Sequence, residues 1–515
     1  MFLDLGIIAT YFAIILAIGI RARASADVSA EEYFLSSRSL KWPTIAMSTI
    51  ATNIQAGHFV SMAGSAYFFG LAQANLEINA IFGILIATFF FVPLYLRMRV
   101  ITISQFFEAK LGPKVALAYA VLMILLYALL YLGTALFWAA YVIDGVFGSM
   151  GALPQLDPAV RLGLLVVATG VFSAAYTYLG GLRAVVRTDI VQFVLLVGGG
   201  IITLSVAIHY LGGWSQLWSS TGHLMHLHLP RDHDTLPWTA LFGMLLLNLN
   251  YWGANQVILQ RALAAKSLKH AQVGLLMGGV LKYLIALIVI IPGIAMVGIL
   301  GDQQLDDPDL AYITLVNTYL PAGVRGLILC GLFASIMSTL DSIFHSVATL
   351  WSVDIYRRYL RPDATDAQVV RSGRHAIVAA LVSGVLFSFV VIYYKDPAFP
   401  LTHWFNELSY YVKNGFVLLV LAAVFLLRPS RRLVLATLLS SVLLYLALNI
   451  AFPEMNYFVR SAWVIVVTFA AVAIPTIARN GWRLDQALLV VSHPSVARFG
   501  TALAVSLVVV HVVFH

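Results

Sequence analysis

Long apolar runs recur from one end of the chain to the other, separated by short polar breaks. Each run reaches about 20 residues, the length an α-helix needs to cross the hydrocarbon of a bilayer. About fourteen such stretches can be read, at 4–21, 43–68, 71–96, 114–149, 160–180, 189–211, 238–260, 271–299, 323–351, 373–394, 400–427, 432–451, 458–478 and 495–514. The pattern predicts an all-α polytopic membrane protein with residues 1–515 in one transmembrane domain. The stretch 114–149 is long enough to hold a span and a separate surface helix. The longest polar connections, 22–42, 212–237 and 352–372, are too short for a further soluble domain.

Two spans are polar at their centres. The second carries Ser48, Thr49, Thr52, Asn53, Gln55, Gly57 and His58; the seventh carries Asn248, Asn250, Tyr251, Trp252, Gly253, Asn255 and Gln256. Unpaired polar groups in hydrocarbon cost several kcal/mol each, so these residues face the bundle interior or a wet cavity. Interhelical hydrogen bonding explains one or two such residues; so many in one span point to a site. The two spans are five apart and therefore cross in opposite directions. That is the signature of five-helix inverted repeats whose broken helices meet at the midplane. The repeats are expected at 43–211 and 238–427, with one extra helix at 4–21 before them and three helices at 432–514 after.

Composition sharpens the class. The chain is 61% hydrophobic and 10% charged, against about 25% charged for soluble domains. Its net charge of +8 would fit an anionic partner if the cations were clustered. They follow the loops instead. With the N-terminus outside, the inside loops take Arg21, Arg23, Arg38, Lys41, Arg97, Arg99, Lys110, Lys114, Arg183, Arg187, Arg261, Lys266, Lys269, Arg357, Arg358, Arg361, Arg371, Arg374, Arg428, Arg431, Arg432, Arg479, Arg483 and Arg498, 24 of the 31 Lys and Arg. This is the positive-inside bias. It accounts for the basic charge without nucleic acid and puts both termini outside. Asp4 before the first apolar run, with Arg21 and Arg23 after it, reverses the charge order of a cleaved signal peptide, so a retained helix is expected. The chain has no Asn-x-Ser/Thr acceptor site, which favours a bacterial inner membrane. Cys330, the single cysteine, allows no internal disulfide. His223, His226, His228 and His233 sit in an outside loop; their irregular spacing favours a solvated loop over a metal site.

At the polar spans the sequence resembles the sodium/solute symporter family, specifically its sodium–glucose cotransporter branch. The resemblance runs from about residue 30 to 430. It is carried by Glu32-Tyr-Phe-Leu-Ser-Ser-Arg-Ser-Leu40, Asn53-Ile-Gln-Ala-Gly-His-Phe-Val60, Arg99-Val-Ile-Thr-Ile-Ser-Gln-Phe106 and Tyr176-Thr-Tyr-Leu-Gly-Gly-Leu-Arg-Ala184 with Thr188-Asp189. Tyr251-Trp-Gly-Ala-Asn-Gln-Val-Ile-Leu-Gln-Arg261 with Ala264-Ala-Lys-Ser267, Ser335-Ile-Met-Ser-Thr-Leu-Asp-Ser342 and Asp354-Ile-Tyr356 complete it. Seven matches in the family's order are specific where one would not be.

The resemblance implies the LeuT-like fold and import of a glucose- or galactose-like sugar with Na⁺, by alternating access. It implies a Na⁺ site from the backbone carbonyls of Ala51, Ile54 and Ser335 and the hydroxyls of Ser338 and Thr339, hard oxygen ligands for a hard cation. It gives Asp189 as a possible second cation ligand. The implied sugar site is Asn53, His58, Glu77, Asn248, Tyr251, Trp252, Lys282 and Asn406. These side chains supply donors and acceptors for hydroxyls and flat faces for a ring. Met62, Leu76, Tyr251 and Thr402 take gate positions, although Leu76 and Thr402 stand where the family usually has aromatic residues. Lys413 has no counterpart in the resemblance; it either pairs with a carboxylate or lies near the wet end of its helix. No organic cofactor, nucleic acid or obligate protein partner is implied, only the solute, Na⁺ and the bilayer. Inositol, another polyol or a sugar acid would suit a similar pocket, and a nutrient sensor would use the same site without net transport. An intramembrane enzyme is the remaining rival, without a spaced nucleophile or metal motif in its favour.

Overall fold

The computed structural model describes residues 2–21, 29–54, 58–149, 155–301, 303, 305, 307–394, 401–481 and 492–515. Among them the fold is helical, with no strand and only two isolated bridges, Leu40 with Ala265 and Leu229 with Pro237. Each of the fourteen apolar stretches is mainly helical, and 114–149 forms one continuous helix with no separate surface helix.

Among the described residues, eleven helices are long and apolar enough to cross a membrane. The other three of the fourteen stretches have distinct causes. The first, Phe2–Arg21, has a shorter apolar centre, Leu3–Ile18. The second and seventh are broken. Trp42–Asn53 starts on Pro43, whose missing N–H costs nothing in a first turn, and ends where Ile54 turns extended; helix resumes at His58. Gln55 and Gly57, expected among the polar centre of this span, lie outside the described residues. The seventh stretch divides into Ala240–Gly253 and Gln256–Leu263.

The fifth and sixth stretches join into Pro158–Leu211, kinked at Gly181. Its φ of +58° disfavours any side chain, and a Cβ there would lie 2.7 Å from the Tyr33 carbonyl oxygen. The limb beyond the kink packs along Val324–Thr349 and Leu268–Leu300, and these helices surround the broken second span.

Several contacts tie segments that are distant in sequence. Asp4 accepts from the Gly323 and Gly326 amides at 2.7 and 3.0 Å and pairs with Arg325 at 3.0 Å. At the other terminus, Leu227 donates to the Phe514 carbonyl at 2.8 Å. Arg325 and the 222–237 connection both belong to the side that the charge pattern puts outside.

Candidate functional site

A broken helix frees backbone groups that an intact one would satisfy, and each break has its own solution. At the seventh span three buried tyrosines close the gap. Tyr95 donates to the Gly253 carbonyl at 2.5 Å, Tyr119 to the Ala254 carbonyl, and Tyr127 to Asn255 Oδ1 at 2.6 Å. Asn255 caps the second half-helix by accepting from the Val257 amide at 3.0 Å. Gln256 accepts from the Ile103 amide at 3.0 Å. Asn255 and Gln256, read from sequence as part of the polar centre, therefore hold the break together. The tyrosines were not legible as partners, because a tyrosine in an apolar run looks like any other aromatic until its acceptor is known.

Asn53 and His58 of the second span and Asn248, Asn250, Tyr251 and Trp252 of the seventh line one cavity. All eight sugar-site candidates are there: Asn53, His58, Glu77, Asn248, Tyr251, Trp252, Lys282 and Asn406. Met62 and Leu76, two gate candidates, join them. Thr402 lies in Leu401–Phe425, but its side chain is outside the described residues. Glu77 is 3% exposed.

A chain of contacts runs across the cavity. His58 Nε2 lies 3.2 Å from Glu77 Oε1. Lys282 Nζ pairs with Glu77 Oε2 at 2.6 Å and also donates to Asn53 Oδ1. The Asn53 amide then donates to the Tyr251 hydroxyl at 2.6 Å, tying one broken helix to the other. Tyr251 and Trp252 give aromatic surface, and Trp252 Nε1 and Asn250 Oδ1 are buried without a hydrogen-bond partner. A buried polar group left unpaired costs about 1–3 kcal/mol, so such atoms are ready partners for a polar solute. Gly83 makes the packing behind this wall possible: a Cβ there would lie 2.6 Å from the Asn248 carbonyl oxygen and 2.7 Å from Trp252 Cδ1.

A second polar cluster sits where Trp42–Asn53 meets Val324–Thr349. Thr339 donates to the Thr52 carbonyl at 3.4 Å, and Ser335 to the Leu332 carbonyl at 3.0 Å. Ala51 and Ile54 are fully buried at the helix end, among the last carbonyls that a helix cannot satisfy itself. Ser338 donates to Asp189 Oδ1 at 2.5 Å. Asp189 is fully buried, accepts from Ser48 at 2.5 Å and pairs with Arg261 at 3.2 Å. This corrects the reading of Arg261 as a cation of an inside loop. It is 0% exposed, because the second half-helix carries it inward and Asp189 and three hydroxyls compensate it. Asp341 faces elsewhere, accepting from Ser173 and Thr177 at 2.7 and 3.0 Å.

The histidines of the 222–237 connection do not form a metal cluster among the described residues. Nor are they simply solvated: His228 contacts His511 at 3.0 Å, and His233 accepts from the Leu236 amide at 3.1 Å.

Known proteins resemble this chain in sequence and fold. A sequence model of the sodium:solute symporter family matches residues 33–440. A sodium/glucose cotransporter of Vibrio parahaemolyticus is 33% identical over 417 residues, 75% of this chain and 75% of that protein. Sodium/glucose cotransporter 1 of Oryctolagus cuniculus is 29% identical over 463 residues, 82% of this chain and 68% of the relative. A solved Na⁺-coupled sialic acid symporter, substrate-bound and outward-open, superposes with a TM-score of 0.79 at 18% identity, covering 94% of this chain and all of that one; it speaks for the fold. The family match over most of the length, with a relative one-third identical over three quarters of it, makes this multi-pass membrane protein a member of the sodium:solute symporter family.

Proposed function

We propose that the protein imports a sugar together with Na⁺ by alternating access. The observation that carries this reading is the single cavity between two broken helices, lined by all eight candidate hydroxyl-binding residues. Membership of the family and the sodium/glucose cotransporters among its relatives support it. In this reading Asn53, His58, Glu77, Asn248, Lys282 and Asn406 bind hydroxyls, and Trp252 offers its face to the ring. Met62, Leu76 and Thr402 gate the outside; Tyr251, bonded to Asn53, closes the inner side. Na⁺ sits at the end of Trp42–Asn53, on the carbonyls of Ala51, Ile54 and Ser335 and the hydroxyls of Ser338 and Thr339. There it braces the broken helix and favours the outward-open state. Asp189 serves a second cation only in a state where Arg261 has moved off it. The repeats are 43–211 and 238–427, and the membrane is a bacterial inner membrane with both termini outside. Asp4 is tied to Arg325 and Phe514 to Leu227, each on a connection that the charge pattern puts outside, which supports the last point.

The membrane potential contributes about 2.3 kcal/mol per charge per 100 mV, roughly a 50-fold solute gradient before any Na⁺ gradient is added. The test is uptake of labelled sugar into proteoliposomes carrying an inward Na⁺ gradient. Accumulation that collapses without Na⁺ is expected. Accumulation driven by a proton gradient in the absence of Na⁺ rules out the ion, and Na⁺-dependent binding without accumulation identifies a sensor.

A further inference from the structure

Lys413 is used by nothing in this mechanism. It lies on Leu401–Phe425, two turns beyond Asn406, and lines the same cavity. It is 6% exposed. Its ammonium stands 5.0 Å from the centre of the Tyr131 ring and 5.3 Å from those of Phe405 and Tyr410. Among the described residues it has no carboxylate or hydrogen-bond acceptor. The nearby acids are taken: Glu77 by Lys282 and His58, and Glu407 by Arg460 at 3.1 Å.

Aromatic faces attract a cation through their quadrupole, which suits a buried ammonium. They do not accept its three N–H bonds in the way an oxygen does. The cavity thus holds one compensated ion pair and one cation whose donors are unspent. A buried charge without an opposite partner is strongly disfavoured, and an anionic solute would supply that partner.

We propose that the transported sugar is an acid, a hexose-sized ring bearing one carboxylate, with that carboxylate on Lys413 and the hydroxyls on the Asn53–Glu77–Lys282 side. The charge count selects the class. One uncompensated cation matches a monoanion; a phosphoryl dianion would leave one negative charge uncompensated in the same apolar surroundings. Glu77 does not repel the carboxylate, because Lys282 already neutralises it and the acid group lies at the other end of the ring. The inference rests on the reading of the protein as a Na⁺-coupled sugar carrier.

The experiment is equilibrium binding, in saturating Na⁺, of two matched pairs to the full-length purified protein: D-galacturonate against D-galactose, and D-glucuronate against D-glucose. Within each pair only the C6 group differs. One uronate is expected to bind at least tenfold more tightly than its hexose. Lys413→Met is expected to abolish that preference by weakening the uronate alone, while Lys413→Arg keeps it. Hexoses preferred by the wild type, with a ratio unmoved in Lys413→Met, overturn the acid assignment and leave the sugar reading standing. Binding of none of the four overturns both. The wild-type ratio needs no variant, so misfolding of Lys413→Met still leaves a decisive measurement.

Discussion

Two buried ion pairs lie within the same bundle and are finished in opposite ways. Arg261 and Asp189 are each fully buried, and their hydrogen-bonding capacity is spent on protein. Besides Asp189, Arg261 donates to the Val257 carbonyl at 2.6 Å, Ser48 at 3.1 Å, Thr52 at 2.8 Å and Ser342 at 2.5 Å. Lys282 and Glu77 are as deeply buried, yet they face a cavity whose walls include Trp252 Nε1 and Asn250 Oδ1 without partners. A buried pair stabilises only when its remaining donors and acceptors are satisfied. The Arg261 cluster meets that condition alone, so it acts as a fixed joint between the broken seventh helix, the second span and Val324–Thr349. The Lys282 pair has its own partners in Asn53 and His58, but it borders unpartnered polar atoms that the solute proposed above would satisfy.

The comparison breaks most directly at Arg261. Removing one member of a buried pair costs about 3–5 kcal/mol, because the other charge is left uncompensated. Arg261→Met is therefore expected to lower the thermal unfolding temperature of the purified protein more than any cavity substitution does. Arg261→Met combined with Asp189→Asn should recover part of the loss. An unfolding temperature equal to that of the wild type would mean that the cluster is not the joint described.

The cavity pair should lose binding, and less stability than Arg261→Met, because it faces the cavity rather than packed protein. Hydrogen bonds to charged groups contribute about 1.5–3 kcal/mol. Glu77→Gln and Lys282→Met are thus each expected to weaken the best-bound sugar by roughly one to two orders of magnitude. Na⁺ binding measured without sugar should survive in both, because the proposed ion site uses other residues. Unchanged sugar affinity in both variants would make this pair structural, like its neighbour.

What was legible in the sequence divides along the same line. The cavity residues could be read because polar side chains are conspicuous in apolar runs and their motifs match a family: Asn53, His58, Asn248 and Tyr251 stand on the two breaks, and Lys282 is far from any helix end. Arg261 follows an apolar run directly, where a loop cation is the ordinary expectation. Only the turn at Ala254 and Asn255 sends it inward, and that turn depends on Tyr95, Tyr119 and Tyr127 from other helices. Hydropathy counts those hydroxyls as part of an apolar surface. Helix positions depend mainly on local composition; the closed cluster depends on partners up to 290 residues apart in sequence.

The proposed Na⁺ site borders the closed cluster and sharpens the distinction. Thr339 reaches the end of the broken second helix, whereas Ser338 also serves Asp189. Loss of one hydroxyl ligand, about 1 kcal/mol, should raise the Na⁺ concentration for half-maximal uptake by roughly fivefold in Thr339→Ala. Ser338→Ala should do the same and lower the unfolding temperature as well. Unaltered Na⁺ dependence in both would remove these hydroxyls from the ion site.

The smallest effect concerns the link between the cavity pair and the 222–237 connection. Asn75, two residues before Glu77, accepts from Asn79 at 3.0 Å; Asn79 Oδ1 lies 3.0 Å from His511 Nε2, and His511 Nδ1 lies 3.0 Å from His228 Nε2. A nitrogen-to-nitrogen bond needs one neutral acceptor ring. Burial, and then the charge of His515, hold the His228 pKa below its ordinary 6.5. The folded state therefore resists a proton that the unfolded chain accepts. Between the lowered value and about 6.5 the unfolded chain binds more protons, so the stability from this contact is complete above that range and falls as the pH drops through it. The loss is expected to be about 1 kcal/mol, the worth of one hydrogen bond. It should appear as a drop in the wild-type unfolding temperature between a buffer above and a buffer below the histidine range. His228→Gln, which keeps a polar group but does not titrate, should show a smaller drop over the same interval. Equal drops in the two proteins would mean that the histidine pair carries none of the pH dependence and that the chain of contacts from His228 to Asn75 is incidental to the cavity.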